Sequence, residues 1–313
     1  MQVSDRVGRR IKLQDLHVLM VVVQAGSMSK AAVLMHTTQS AISRSIASLE
    51  QTFGVRLLDR SRQGVEPTEH GRALLDGGAA VFDELRQAVK NVEFLSDPTA
   101  GEVRVGAHEP FIAGLLPAVI DRLRRKHSGI SVLVAPIAPN AERFLDLRER
   151  KIDLLLDRIA PRVHEDISVE VLFHDRVVVV SGPNSRWARQ RKIELSALID
   201  EAWVLPRLDT IVGPLVADAF GARGVKFPPK GAVWGGASLF FALLARSPFL
   251  GTVPVSLLQF GANLPRLKVL PVELPIPRLP VGIMTLKNRT LTPVVRLFID
   301  CVHEVVKPLA NTK

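Results

Sequence analysis

Thr38-Gln39-Ser40-Ala41-Ile42-Ser43-Arg44-Ser45-Ile46-Ala47-Ser48-Leu49-Glu50-Gln51-Thr52 is the stretch on which the reading of this chain turns. Ile42, Ile46 and Leu49 recur at i, i+4 and i+7, the spacing that buries one stripe of a helix. The opposite face, near the N-terminal end, carries Gln39, Ser40, Ser43 and Arg44. Thr38 is placed to cap the first turn, and Gly54 to end the helix in a left-handed residue. The result is a helix with an apolar back and a polar, cationic leading edge.

Outward from it, Lys30 to Met35 reads as a short helix whose Ala31-Ala32 pair permits close approach of a neighbour. Ser27 or Ser29 can cap it, and His36-Thr37 makes a brief turn into the next helix. A first helix is expected over Leu13–Gln24, its apolar face drawn by Leu13, Leu16, Met20 and Val23 and its end set by Ala25-Gly26. Two helices joined by a tight turn, the second polar at its leading end, make a helix-turn-helix. Gln39 can bond an adenine edge, Arg44 guanine or phosphate, and the hydroxyls of Ser29, Thr37, Thr38, Ser40 and Ser43 either. The helix pattern alone also fits an ordinary helical hairpin with its polar face in water. The residues after Gly54 favour DNA: Val55–Arg60 and Val65–Thr68 read as strands around Ser61-Arg62-Gln63-Gly64. That is a β-ribbon with Arg60 and Arg62 near its tip, a wing suited to phosphate or minor-groove contact.

The charge distribution agrees. The 313 residues carry a net charge of +10, and residues 1–64 hold nine cations against four anions, half of that excess in about a fifth of the chain. A basic chain points to an anionic partner, nucleic acid or an acidic membrane surface. Hydrophobic residues at 47% and charged residues at 23% exclude a disordered chain. The length suggests two or three domains. Cys301 is the single cysteine, so no intrachain disulfide and no Cys-based metal cluster can form. The basic start followed by Leu16–Val23 mimics a signal peptide, but Asp15 and His17 interrupt the run and it fits an amphipathic helix. No apolar stretch approaches the roughly 20 residues of a membrane span. A cytoplasmic protein with no membrane partner is expected.

Leu13, Leu16, Gly26-Ser27, Ala31-Ala32, His36, Gln39-Ser40-Ala41, Ser43-Arg44, Leu49-Glu50, Gly54-Val55-Arg56-Leu57, Arg60, Thr68 and Gly71 stand in an order and spacing that resembles the N-terminal domain of LysR-type transcriptional regulators. Met28, Phe53 and Leu58 depart from the family's usual residues only as apolar swaps, which repacking absorbs. Glu66, near the wing, is less usual and weakens phosphate contact there.

Thr68 and Glu69 then start a proline-free helix to about Phe94. Leu75, Phe82 and Val89 mark one heptad position and Gly78, Leu85 and Val92 the other, a seam for a two-stranded coiled coil. The alternative is packing on the chain's own body. The resemblance implies a linker helix and a homodimer or homotetramer. Asp97-Pro98-Thr99-Ala100-Gly101 reads as a hinge.

Beyond it, strands are expected at Val103–Gly106, Ile130–Ala135, Ile152–Leu156, Val177–Val180, Trp203–Leu205, Leu267–Val272 and Val281–Leu286. Helices are expected at Leu115–Lys126, Asn140–Lys151, Leu215–Phe220, Ser238–Ala245 and Pro293–Leu309. The alternation indicates α/β subdomains with parallel sheets and a cleft at strand C-terminal ends. Val103-Arg104-Val105-Gly106, Leu115-Leu116-Pro117, Lys151-Ile152-Asp153 and Val253-Pro254 are similar to landmarks of the same family's effector domain, which resembles type 2 periplasmic binding proteins. The fold class is therefore α+β multidomain. It comprises a winged helix-turn-helix domain (1–68), a linker helix (69–96) and a two-lobed α/β effector domain (97–313). Lobe I spans about 101–174 and 273–313, and lobe II about 175–272.

Cleft candidates follow from position after strands: His108, Glu109, Pro110, Asn140, Asp157, Arg158, Arg207, Asp209 and Thr210. Arg158 and Arg207 can bind a carboxylate, and Asp157 and Glu109 sugar hydroxyls. His108 has no second metal ligand at suitable spacing, so no metal is expected. Ala245-Arg246-Ser247-Pro248 stands where the family often has glycines, and His108-Glu109-Pro110 where it often has Ser or Thr; the latter departure sets the family's usual ligand chemistry apart from this chain. The expected function is a ligand-responsive transcriptional regulator. Its partners would be double-stranded promoter DNA, a small-molecule effector, further copies of itself and RNA polymerase. No cofactor is expected beyond a small-molecule inducer. A solute-binding protein explains residues 102–313 but leaves the first 96 without purpose. No G-x-S-x-G, P-loop or HExxH pattern supports an enzyme.

Overall fold

The computed structural model describes residues 11–61, 64–137, 141–224, 226–227, 232–246, 248–260 and 267–310. They form two compact units, Met1–Ala88 and Val89–Lys313.

The first unit begins with α1 (Leu13–Ala25), α2 (Met28–Leu34) and α3 (Gln39–Phe53). The back of α3 is as expected, with Ile42, Ile46 and Leu49 buried. The phase of α1 differs from expectation. Leu16, Val18, Leu19 and Val22 are its buried residues, whereas Leu13 is exposed and Met20 and Val23 are half-buried. The run from Val18 to Val23 is apolar on every side, so its periodicity leaves the inward face undetermined. Ser27 occupies the N-cap position of α2 without a side-chain bond. Ser29 lies inside the helix instead, where its hydroxyl donates to Gln39 Oε1 at 3.0 Å. Thr38 does cap α3, accepting from the Ala41 amide at 3.2 Å. His36, at φ 48°, supplies the left-handed residue that makes the turn tight.

The wing is β1 (Leu58–Ser61) paired antiparallel with β2 (Gly64–Pro67). The first strand starts later than expected because Glu50 Oε1 takes the amide of Leu57 at 2.8 Å, tying this segment to α3. Thr68 Oγ1 accepts from the Gly71 amide at 3.0 Å and so opens α4 (Glu69–Ser96). A Cβ at Gly71 would lie 2.0 Å from the Leu57 carbonyl, so only glycine lets this helix cross the wing base.

The expected coiled-coil seam is corrected in α4. Leu75 packs into the core of the first unit, Gly78 is buried against Leu16, and the Phe82 ring lies 5.6 Å from that of His17. The stripe left exposed is Val81, Leu85, Val89, Val92 and Leu95. Half of the predicted seam is thus used within the chain, and the free stripe lies further along the helix.

In the second unit, β3 (Ala100–Ala107), α5 (Glu109–Ala113), α6 (Leu115–Lys126), β4 (Gly129–Pro136), α7 (Leu145–Arg148), β5 (Leu154–Arg158) and β6 (Ile167–Asp175) build the first lobe. The helix expected over Asn140–Lys151 is only a 3-10 turn at Ala141–Phe144 followed by α7, and Asn140 itself lies outside the described residues. The second lobe holds β7 (Val177–Ser181), β8 (Trp203–Leu205), α8 (Val212–Gly221), β9 (Val233–Trp234), α9 (Ala237–Arg246), β10 (Leu250–Pro254), α10 (Val255–Phe260) and β11 (Lys268–Val269). The chain then returns through β12 (Leu279–Leu286) and ends in α11 (Pro293–Ala310).

The strand orders are β4-β3-β5-β12-β6 and β11-β7-β10-β8-β9. The sheets are mixed rather than parallel: β12 runs antiparallel to β5 and β6, and β7 antiparallel to β10 and β11. The exceptions are strands at which the chain passes between lobes. Having no helical crossover within their own sheet, they escape the geometry that makes βαβ strands parallel. Each lobe has its own core, with Phe111, Leu123 and Phe298 central to one and Trp203, Val216 and Phe220 to the other.

Candidate DNA-binding surface and interlobe effector cavity

On α3, Gln39, Ser40 and Arg44 are exposed, as are Thr37 and Thr38 before it, Ser29 on α2, and Arg60 on the wing, while Ser43 is half-buried. Some of these groups already have local partners. Gln39 accepts from Ser29, Thr38 and Ser40 share a 3.0 Å hydroxyl contact, and the Ser43 hydroxyl points to Met28 Sδ at 3.9 Å. Ser29 therefore holds the Gln39 side chain in one orientation at the exposed leading end of α3. The sequence misses the bond between Ser45 and Asp15, which fastens the flank of α3 to α1. Arg62 lies outside the described residues.

In the second unit the C-terminal ends of β3, β4 and β5 face those of β8, β9 and β10 across a cavity of about 460 Å³. His108, Glu109, Pro110, Asp157, Arg158, Arg207 and Thr210 all line it. Asp209 is not among its lining residues. It stands on the exposed loop, where it accepts from Arg207 Nε at 2.9 Å and Nη2 at 2.7 Å. The fork expected to bind a carboxylate from outside is thus occupied by a neighbour. Thr210 is turned to the backbone, donating to the Arg207 carbonyl and accepting from the Gly213 amide.

Glu109 makes a link between the lobes. Its Oε2 accepts from the Ala237 amide at 2.6 Å, placing a carboxylate at the positive end of α9. Arg143 escapes the sequence reading because it falls inside the helix expected over Asn140–Lys151 rather than directly after a strand. It is nevertheless buried in the cavity wall, its Nη2 donating to the Arg158 carbonyl at 2.8 Å and its Nη1 3.7 Å from Asp157. Arg158 is 4% exposed and its guanidinium lies 5.3 Å from the Phe111 ring centroid. Burial pulls both guanidinium groups below their ordinary value, opposed by Asp157 at Arg143 and by Asp157 and Asp175 at Arg158. Burial likewise lowers the His108 pKa; Asp157 and Glu109 oppose, and Arg158 and Arg143 reinforce. The imidazole is therefore neutral at pH 7. Trp234, Phe240, Phe241 and Leu257 give the opposite wall an apolar character.

A helix-turn-helix with a wing, joined in sequence to two α/β lobes around a cavity, is the organisation that the family comparisons also find. Residues 96–307 match the LysR substrate binding domain, and residues 13–72 match the bacterial regulatory helix-turn-helix protein, lysR family. The chain belongs to the LysR family. This LysR-family protein is a ligand-responsive, DNA-binding transcriptional regulator, and its partners are promoter DNA and a small-molecule effector. It is 26% identical over 305 residues to the "Uncharacterized HTH-type transcriptional regulator YdcI" of Escherichia coli (strain K12), covering 97% of this chain and 99% of that one. It is 27% identical over 313 residues to the transcriptional dual regulator GltC of Bacillus subtilis (strain 168), covering 96% and 99%. These relatives are transcriptional regulators.

Among solved structures the fold is similar to a full-length OxyR variant from Pseudomonas aeruginosa (TM-score 0.63, 18% identity, 96% of each chain). It is also similar to CbnR, a LysR family transcriptional regulator (TM-score 0.53, 21% identity, 93% of this chain and 100% of that one). No single helix among the described residues is long and apolar enough to cross a membrane.

Proposed function

We propose that this regulator reads operator DNA with the leading end of α3, chiefly Gln39 and Arg44, while Arg60 of the wing, with Arg62, holds the phosphate backbone. The exposed and preorganised Gln39 edge is the observation that carries this reading. Residues 1–68, 69–96 and 97–313 act as reader, coupler and sensor. The exposed apolar stripe of α4 is covered by a second copy of the chain, giving a homodimer or homotetramer that reads two half-sites. The effector occupies the interlobe cavity, and its differential affinity for lobe arrangements shifts how the paired readers meet DNA. The protein acts in the cytoplasm with RNA polymerase as a further partner. It works by binding alone, with no catalytic step and no cofactor beyond the effector.

The test is a gel-shift titration on the native operator at several salt concentrations. Gln39→Ala or Arg44→Ala should each cost about 1–3 kcal/mol at the operator while leaving the circular dichroism spectrum unchanged. Arg60→Ala should weaken specific and non-specific DNA alike and reduce the salt slope by about 1. Unchanged operator affinity in both α3 variants refutes the reading.

A further inference from the structure

Two buried arginines of the effector unit's first lobe are treated in opposite ways. Arg289 is fully paired, its Nη1 donating to the Ile152 carbonyl at 2.6 Å and its Nη2 to Asp153 at 2.9 Å. Asp153 is further held by Arg104. Arg158 is buried as deeply, yet its guanidinium makes no hydrogen bond or ion pair with any described residue, and its Nε is enclosed without a partner. The Nε of Arg143, beside it, is likewise enclosed and unpartnered. Asp157 and Asp175 act on Arg158 without contact, and a buried guanidinium with no contacting acceptor is costly for a fold to keep. Here it stands in the wall of the interlobe cavity.

The charges of that wall can be counted. Arg143 and Arg158 are cations, Asp157 is an anion already opposite Arg143, and His108 is neutral. Glu109 is committed to the start of α9, and Arg207 to Asp209. Asp175 is no part of the cavity lining, and its carboxylate is taken up by the amide and hydroxyl of Ser256. Glu109 keeps its negative charge, so the wall as a whole is not in surplus; Arg158 is the charged lining side chain that makes no hydrogen bond or ion pair with a described residue. Trp234, Phe240 and Phe241 of the second lobe line the same cavity.

We propose that the effector is a hydrophobic organic monoanion, an aryl or acyl monocarboxylate, whose acid group pairs with Arg158 and whose apolar body lies against Trp234, Phe240 and Phe241. The inference rests on the interlobe cavity being the effector site. A monocarboxylate supplies the contact that the Arg158 guanidinium lacks. It gives the guanidinium a charge-assisted, two-pronged partner and fills the apolar wall. A second carboxylate on the ligand finds no free cation among the described lining residues.

The experiment uses the full-length protein and a panel of benzoate, 1-naphthoate and hexanoate, each with its uncharged primary amide, plus the dianion phthalate. Binding is followed by thermal midpoint and tryptophan emission. The acids should bind about 10- to 100-fold tighter than their amides, the range for a hydrogen-bonded charge, and phthalate no tighter than benzoate. Arg158→Met should raise the midpoint of the ligand-free protein, because it removes an unpaired buried charge, and should erase the preference for acid over amide. The ligand-free arm needs no knowledge of the natural effector. A lower ligand-free midpoint in Arg158→Met, equal binding of acids and amides, or no response to any acid overturns the proposal. Trp234 lines the cavity, whereas Trp187 and Trp203 do not. An emission change that Trp234→Phe abolishes, without preference for acid, refutes the monoanion while keeping the cavity as effector site. Tight acid binding with no Trp234 signal refutes the cavity itself.

Discussion

Gln39, Ser40 and Arg44 stand exposed within six residues of chain, on one helix whose far side is buried. Arg143, Asp157 and Arg158 are buried, and the cavity they share draws its lining from His108 to Leu257. On the proposed function, the first surface meets a partner that brings its own charge and water, so its side chains can wait in solvent at little cost. On the same reading the second receives a small molecule with few contacts to offer, which suits polar groups that are few and desolvated. A local segment can build the first. Only tertiary folding builds the second.

The sharpest way to break this comparison is to remove the buried back of the exposed surface. Ile46 is fully buried. Ile46→Ala should cost about 2–5 kcal/mol. All three tryptophans, Trp187, Trp203 and Trp234, belong to the second unit. Thermal unfolding followed by helical ellipticity should therefore acquire an early transition, while the tryptophan-emission transition stays at its original midpoint. Movement of both together would show that the reader's stability is not a local property of its three helices.

The same contrast decides what could be read beforehand. Ile42, Ile46 and Leu49 announce α3 because the intervening positions are polar, and Thr38 and Gly54 mark its ends with side-chain and backbone chemistry that needs no distant partner. The phase of α1 was illegible because Val18–Val23 is apolar throughout. The free stripe of α4 was half misassigned because Leu75, Gly78 and Phe82 suit a seam and an internal contact equally, and only the position of Leu16 and His17 chooses. In the effector unit, residues just after expected strands pointed to His108, Glu109, Pro110, Asp157 and Arg158, all of which line the cavity. Arg143 sat within an expected helix rather than directly after a strand, and the aromatic wall came from Trp234 and α9 in the other lobe. Asp209 was placed by the same positional rule but turned to Arg207 instead, since a partner two residues away outcompetes one across a cleft. The strand β6 was missed because it lies between two strands, with no helix beside it to complete an alternating pattern.

A milder intervention sharpens the contrast by pH. Burial depresses the folded-state pKa of His108 below its ordinary value of 6.5. The unfolded chain then binds more protons than the folded one between the two values, so stability rises with pH across that window. The contribution of the neutral imidazole is fully present above about pH 6.5 and is lost as pH falls through the depressed folded value. The tryptophan-emission midpoint of the effector unit should drop by a few degrees on acidification below that point, and His108→Asn should flatten this dependence. A slope unchanged in His108→Asn would show that another group controls the acid side.

The smallest effect is expected where the sequence pointed with equal force. Arg207 and Arg158 both qualified as carboxylate binders by following a strand, yet the fork of Arg207 is bonded to Asp209 at an exposed site. Its charge is solvated and paired by contact with Asp209, whereas that of Arg158 is buried with no contacting anion among the described residues. Arg207→Ala should leave the thermal midpoint unchanged and alter 1-naphthoate affinity by less than about fivefold, the scale of an exposed ion pair. Asp209→Ala, which frees the fork without removing it, should if anything tighten binding. A loss in Arg207→Ala as large as that in Arg158→Met would mean that exposure does not discount a charge at this cavity, and that burial, the property separating the two regions, is not what assigns the work.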